Sequence, residues 1–331
     1  MNFYLAALCA FGVCVVANFV LLPLLTKFKA QQQILTYVTE HDYKRGTPTM
    51  GGLSFIFTIV AVGLLFGGFS NRPFVVSLAV FASYGVVGFL DDFIKVHFRR
   101  NLGLRAYQKI IAQLAIAVMV ALYAKGEFSV GDKLILPFSN RQVSIGFWIL
   151  PLVVLVFLSC TNGVNLTDGI DGLATCSTLC YLFGVVLLLD FRISQANALG
   201  DTYALQTAAN LKLLCFVSIG ALLAFLLFNA HDAKVFMGDT GSLALGALVA
   251  CVAIFSRLSL FIPLLGITFV VSCLSVILQV VYFRASGGRR LFLMAPFHHH
   301  LQKKGFSETR ICTLYSVSTL AIIAVITCFG G

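Results

Sequence analysis

The chain has 331 residues, of which 59% are hydrophobic and 11% charged, and its mean hydropathy is +0.96. A soluble domain carries about 25% charged residues, so cytosolic enzymes, secreted disulfide scaffolds and disordered chains are excluded; an all-α polytopic integral membrane protein remains. The net charge of +10 reads as basic loops on one membrane face and not as a nucleic-acid surface, since no Lys/Arg run forms a DNA-binding arm.

Apolar runs recur near residues 3–25, 50–67, 74–90, 109–124, 147–160, 173–189, 211–228, 241–255, 261–283 and 311–329. They predict about ten transmembrane helices in a single domain over 1–331, with the second and eighth short. The first run lacks a basic stretch before it and reads as a span, not a cleaved signal. Between the fourth and fifth runs, residues on either side of Ser139-Asn140-Arg141 read as a short hairpin without chemistry. The ten cysteines lie in or beside apolar runs with no CxxC, and read as packing residues.

Ten spans make nine loops. Those near 26–49, 91–108, 161–172, 229–240 and 284–310 share one side. With the residues at their span ends, they hold sixteen of the 23 Lys and Arg, all six histidines and nine of the 13 acids. The positive-inside rule puts that side in the cytoplasm and both termini outside. The ionisable chemistry thus gathers on the cytoplasmic face, whereas a transporter would more often hold it at mid-membrane.

Four segments in these loops could carry chemistry. Asp91-Asp92 closes the third apolar run, where acids are expensive. Neighbours on a helix diverge by about 100°, so one acid can face a site while the other bonds locally. Next, Asn162, Asn165, Asp168 and Asp171 recur every three residues among Gly163, Gly169 and Gly172. That spacing gives a helical stripe or a tight turn, and it does not match the calcium loop of an EF-hand. Phe236-Met-Gly-Asp-Thr-Gly-Ser242 leads into the eighth run, with Thr240 and Ser242 as candidate N-caps. It is not a P-loop, but a helix start with a carboxylate suits a hard cation and phosphate. Last, His298-His299-His300 lacks zinc spacing and could hold phosphate or move protons. Gly287-Gly-Arg-Arg290 before it is a flexible pair of anion-binding guanidiniums. Together these favour magnesium-dependent chemistry on phosphates at the membrane surface.

The residues Lys44-Arg-Gly-Thr-Pro-Thr-Met-Gly-Gly52, Gly88-Phe-Leu-Asp-Asp92, Asn162 to Gly172, Phe236 to Ser242 and Met294-Ala-Pro-Phe-His-His-His300 occur in this order. In that, the chain resembles the bacterial phospho-N-acetylmuramoyl-pentapeptide transferases of the polyprenyl-phosphate N-acetylhexosamine-1-phosphate transferase superfamily. Gly246-Ala247 stands where Gly-Gly is expected. The resemblance implies that UDP-N-acetylmuramoyl-pentapeptide and undecaprenyl phosphate give lipid I and UMP, for peptidoglycan synthesis. It also implies ten spans in the bacterial inner membrane, a cytoplasmic Mg2+ site and a homodimer. By the same resemblance Asp91, Asp92, Asp239 and His298 are catalytic, and Asp239 is the metal ligand. Lys44, Asn165, Asp168, Asp171, Asn229, Phe236, Gln279 and His299 would bind the donor, with the Phe236 ring stacking on uracil. A one-step displacement and a route through an attacking Asp both remain open. A sister transferase using UDP-N-acetylglucosamine is the nearest alternative, and a transporter of anionic substrate the more distant one.

Overall fold

The computed structural model describes residues 2–28, 46–98, 103–139 and 141–329. Each predicted apolar run is helical: α1 (Phe3–Lys27), α2 (Gly52–Gly67), α3 (Arg72–His97), α4 (Ala106–Gly126), α5 (Ile149–Thr167), α6 (Leu173–Ala198), α7 (Thr202–Asn229), α8 (Gly238–Phe255), α9 (Ile262–Leu265) with α10 (Ile267–Ala285), and α12 (Glu308–Phe329). A short helix, α11 (Phe297–Lys303), carries the three histidines. Among the described residues nine helices are long and apolar enough to cross a membrane. The chain is therefore an all-α, multi-pass membrane protein. The remaining span of the expected ten, α2, has 16 residues, or about 24 Å of helix against about 30 Å of hydrocarbon.

The ninth apolar run is not one helix. It breaks at Gly266, whose backbone (φ −98°, ψ 27°) leaves the helical region between α9 and α10. The hairpin is present as β1 (Lys133–Ile135) paired antiparallel with β2 (Gln142–Ser144). Arg257 holds the strands' neighbourhood through Val130 O, Phe128 O and Gln142 Oε1. At the same end of the bundle the Glu127 carboxylate accepts hydroxyl hydrogens from Tyr123 (2.7 Å) and Tyr203 (2.6 Å). All ten cysteines are free.

Helix α8 is the core. Every residue from Thr240 to Phe255 is buried, as expected of a helix apolar on all sides. Helices α3 and α5 lie along it, and small residues set the approach. A Cβ at Gly88 would fall 2.1 Å from the Asp239 carbonyl oxygen, and one at Gly246 would fall 2.4 Å from Thr161 Cα. Without a hydrophobic drive between helices in lipid, such backbone contact supplies the dispersion that associates them.

The start of α8 corrects one expectation. The helix begins at Gly238, and neither Thr240 nor Ser242 is its N-cap. A carboxylate from another helix takes that role: Asp92 Oδ2 accepts from Thr240 N (2.9 Å) and Thr240 Oγ1 (2.8 Å). The dipole of α8 favours this charge. Asp92→Ala should therefore destabilise the protein by about 1–3 kcal/mol, because a buried N–H loses its acceptor. Asp92→Asn retains one acceptor oxygen and should lose less. Thermal unfolding in detergent separates the two, and equal losses would mean that the cap is not what Asp92 contributes.

Candidate active site

The C-termini of α3, α5 and α7 and the N-termini of α4, α6 and α8 meet at the end of the bundle opposite the hairpin. Helix α3 does not stop at its apolar run; it continues to His97. Asp91 and Asp92 therefore sit inside a formed helix, both 3% exposed. Asp239 lies in the first turn of α8. One carboxylate oxygen from each of the three lies within 4.8 Å of the others.

Two ammonium groups enter this cluster. Lys95 Nζ is 2.6 Å from Asp91 Oδ2, 2.7 Å from Asp239 Oδ2 and 3.6 Å from Asp92 Oδ1. Lys109 Nζ is 2.8 Å from Asp239 Oδ2 and 4.0 Å from Asp91 Oδ2. Three carboxylates and two ammoniums leave a formal charge of −1. Asp239 Oδ1 accepts from Asn165 Nδ2 at 2.5 Å, and the same amide reaches Ser242 Oγ at 2.8 Å. Asp91 Oδ1 accepts from Leu104 N at 2.8 Å. That contact needs Gly103, where a Cβ would lie 2.5 Å from the same oxygen.

The three-residue stripe divides between structure and site. Asn162 faces away from the acids: its amide donates to Gln113 Oε1 and to Leu158 O, both at 2.8 Å. Asn165 joins the acids. Asp168 ends α5, and Asp171 lies in the turn that follows. Asp171 Oδ2 accepts from Ala233 N (3.2 Å), while its own N–H donates to Glu308 Oε2 (3.1 Å). It ties the turn to the loop before α8 and to the start of α12.

A second cluster sits on this turn. His298 is fully buried, and its ring lies 4.3 Å from that of His299, centre to centre. Both rings rest on Gly169. A Cβ there would fall 2.2 Å from His298 Nε2 and 3.0 Å from His299 Nε2. His299 Nδ1 is 2.6 Å from Gln302 Oε1. Helix α11 is anchored to α10 by Phe297 N donating to Ser275 Oγ (3.0 Å). Asn165 and Gly169 are four positions apart, so one short segment serves both the acids and the histidines.

Other expected binding residues have structural partners here. Asn229 accepts from Thr175 Oγ1 (2.9 Å) and donates to Val235 O (3.0 Å). Gln279 Oε1 accepts from Leu291 N (3.2 Å) and Phe292 N (2.8 Å), holding the segment that precedes α11. Phe236, partly buried, exchanges backbone bonds with Pro48 O and Gly51 N at 2.9 Å each. Lys44 lies outside the described residues.

His300 points elsewhere: its Nδ1 accepts from Leu293 N at 3.1 Å. Burial, and then the Lys304 ammonium, hold this imidazole below its ordinary value of 6.5. A depressed histidine stabilises the fold when neutral, so the contribution is present above about pH 6.5 and lost as pH falls through the lower, folded value. Hydrogen exchange at the Leu293 amide, corrected for its intrinsic rate, should lose protection on that descent. His300→Ala should remove the pH dependence.

Lys95 and Lys109 are the residues that motif reading missed. Lys95 had a local signal, since it stands three and four positions after the acids on one helix. Lys109 had none; it is brought in by the packing of α4 against α3 and α5.

The sequence model of Glycosyl transferase family 4 matches residues 74–257, which include both the acid cluster and the stripe. The phospho-N-acetylmuramoyl-pentapeptide-transferase signature 1 matches residues 44–56. Proteins of that transferase name are similar along almost the full length. The one from Clostridium novyi (strain NT) is 40% identical over 97% of this chain and 94% of its own. Those from Clostridium perfringens (strain 13 / Type A) and Clostridioides difficile (strain 630) are 41% and 38% identical, each over 98% of this chain and over 96% and 97% of their own. With about 40% identity along nearly the whole of both chains and the family's signature at residues 44–56, the chain belongs to the phospho-N-acetylmuramoyl-pentapeptide-transferase family.

Proposed function

We propose that this protein transfers phospho-N-acetylmuramoyl-pentapeptide from its UDP-linked donor to undecaprenyl phosphate, giving lipid I and UMP in peptidoglycan synthesis. We place it in the bacterial plasma membrane with its site on the cytoplasmic face, as the basic loops favour. One observation carries the reading: three carboxylates and two lysines converge at the helix end that bears the family's motifs.

The chemistry asks for such a cluster. An acceptor phosphate oxygen must bond to the sugar-bearing phosphorus while the bond from that phosphorus to UMP breaks. Both reactants are anionic, so positive charge is needed where they meet. The donor set fits Mg2+, which takes oxygens at about 2.0–2.1 Å and shares its shell with substrate phosphates. Oxygens of one such shell lie at most about 4.2 Å apart, so oxygens already within 4.8 Å of one another need only a small side-chain adjustment to share it. Asp239 would hold the ion, with Asp91 and Asp92 beside it; the ion would supply charge neutralisation to the diphosphate. Lys95 and Lys109 would meet the same phosphates. Asp91 would accept the proton of a protonated acceptor phosphate. Every carboxylate is already bonded to an N–H, a hydroxyl or an ammonium, which favours direct displacement over attack by an Asp.

On the other side of the 165–169 segment His298 would act in the transfer step and His299 would contact the donor, with Asp168 and the Phe236 ring completing the nucleoside pocket. Asp171, Asn229 and Gln279 would shape its walls through the loops they hold. Lys44 would join them from the chain before α2. The test is UMP release by purified protein in detergent with undecaprenyl phosphate. UDP-N-acetylmuramoyl-pentapeptide should support it and UDP-N-acetylglucosamine should not. The reverse preference would make it a sister transferase. Uptake of donor into liposomes without UMP formation would make it a carrier.

A further inference from the structure

Lys95 stands in a different relation to the acids than Lys109 does. Its Nζ contacts Asp91 and Asp239 at 2.6 and 2.7 Å and reaches Asp92 at 3.6 Å. One ammonium thus touches all three groups that a divalent cation would use. Lys109 bonds to Asp239 and stays 4.0 Å from Asp91. The Lys95 side chain is 30% exposed, against 4% for Asp91 and Asp92. Asp91 and Asp92 are fixed by backbone amides and Asp239 by the side-chain amide of Asn165; the lysine has a flexible stem and an open side.

A divalent ion cannot bind these oxygens while an ammonium occupies them. Like charges repel strongly at such range where water is scarce. Expulsion of Lys95 leaves a cation that needs a new anion. In the proposed reaction the donor's diphosphate, which the ion also meets, is such an anion.

We propose that Lys95 is a resident counter-ion. It is displaced when the divalent cation enters and moves onto the donor diphosphate, so that cation and nucleoside diphosphate bind cooperatively. This rests on reading the three carboxylates as the cation site. By linkage, each ligand then raises the affinity of the other by the same factor.

Mn2+ affinity, read by electron paramagnetic resonance on the full-length protein in detergent with and without UDP, tests it. Lys95→Met should bind Mn2+ tighter than wild type without UDP, by about tenfold or more, because the competing charge is gone. Lys95→Arg keeps the charge and should show no such gain. UDP should tighten Mn2+ binding to wild type by about fivefold or more, and by clearly less to Lys95→Met, where only the contact between the ion and the phosphates remains. If Lys95→Met is not stably folded by thermal unfolding, Lys95→Gln is read the same way. Equal or weaker Mn2+ binding by the neutral variants overturns the displacement. An equal UDP effect in wild type and neutral variants overturns the transfer to the diphosphate. If wild type shows no Mn2+ binding that Asp239→Asn abolishes, the cation site itself is wrong, and this inference falls with it.

Discussion

Asp239→Asn is expected to lower transfer activity by at least about a hundredfold, the scale of losing one electrostatic partner of a developing charge, while the protein still folds and inserts. Asp239 Oδ2 receives both Lys95 and Lys109, and Oδ1 receives Asn165. Asparagine keeps the shape of the side chain and removes the charge. The formal charge of the cluster rises from −1 to zero, and both ammoniums lose a partner. Magnesium depends on charged oxygens, so a higher Mg2+ concentration should not restore the rate. The control is Asp232→Asn in the same loop. Asp232 is 79% exposed, and its contact to His231 at 3.5 Å is a surface pair worth little. Its backbone is left-handed (φ 64°), a region asparagine tolerates. UMP release across a Mg2+ titration, with thermal unfolding of each variant, decides. Equal damage from both would mean general disruption of the loop. Near-normal turnover by Asp239→Asn would leave Asp91 and Asp92 as the groups that hold the ion.

The apolar runs showed where the helices are because burial in hydrocarbon selects long uncharged stretches. They did not show where the helices end. Helix α3 runs on through Asp91, Asp92 and Lys95 to His97, since its charged end lies among protein groups that satisfy it. Composition could not show this, because it reports the solvent of a segment and not its backbone. The break at Gly266 was hidden for the converse reason: both halves are apolar. Within the candidate site, the acids were legible as unusual residues in an apolar chain, but their partners were not. Asn162 and Asn165 look alike in the stripe, yet one binds Gln113 of α4 and the other Asp239 of α8. Three residues advance a helix by about 300°, and that turn alone separates a packing contact from a site contact. Lys109 enters from a separate helix, and no spacing in the sequence encodes that approach.

Gly169→Ala should cost about a hundredfold in kcat, the penalty of moving a reacting group by about 1 Å. The added Cβ would sit 2.2 Å from His298 Nε2 and 3.0 Å from His299 Nε2. No real Cβ contact is as short as 2.2 Å, so either the turn or His298 must move. His298 is fully buried and cannot retreat to solvent. Helix α11 is tethered through Phe297 N to Ser275. The overpacking should cost about 1–3 kcal/mol of stability, less than would unfold the protein. Asn165 precedes the turn on α5, so cation binding at Asp91, Asp92 and Asp239 should persist in this variant. Loss of rate with retained Mn2+ binding would separate the histidine cluster from the acid cluster. Gly172→Ala is the comparison. Gly172 is left-handed (φ 72°), and a Cβ there would meet nothing nearer than 3.4 Å. It should lose stability through backbone strain yet keep the kcat of the folded fraction. If Gly169→Ala turns over at the wild-type rate, the position of His298 does not matter to the chemistry, and its assigned role must be withdrawn.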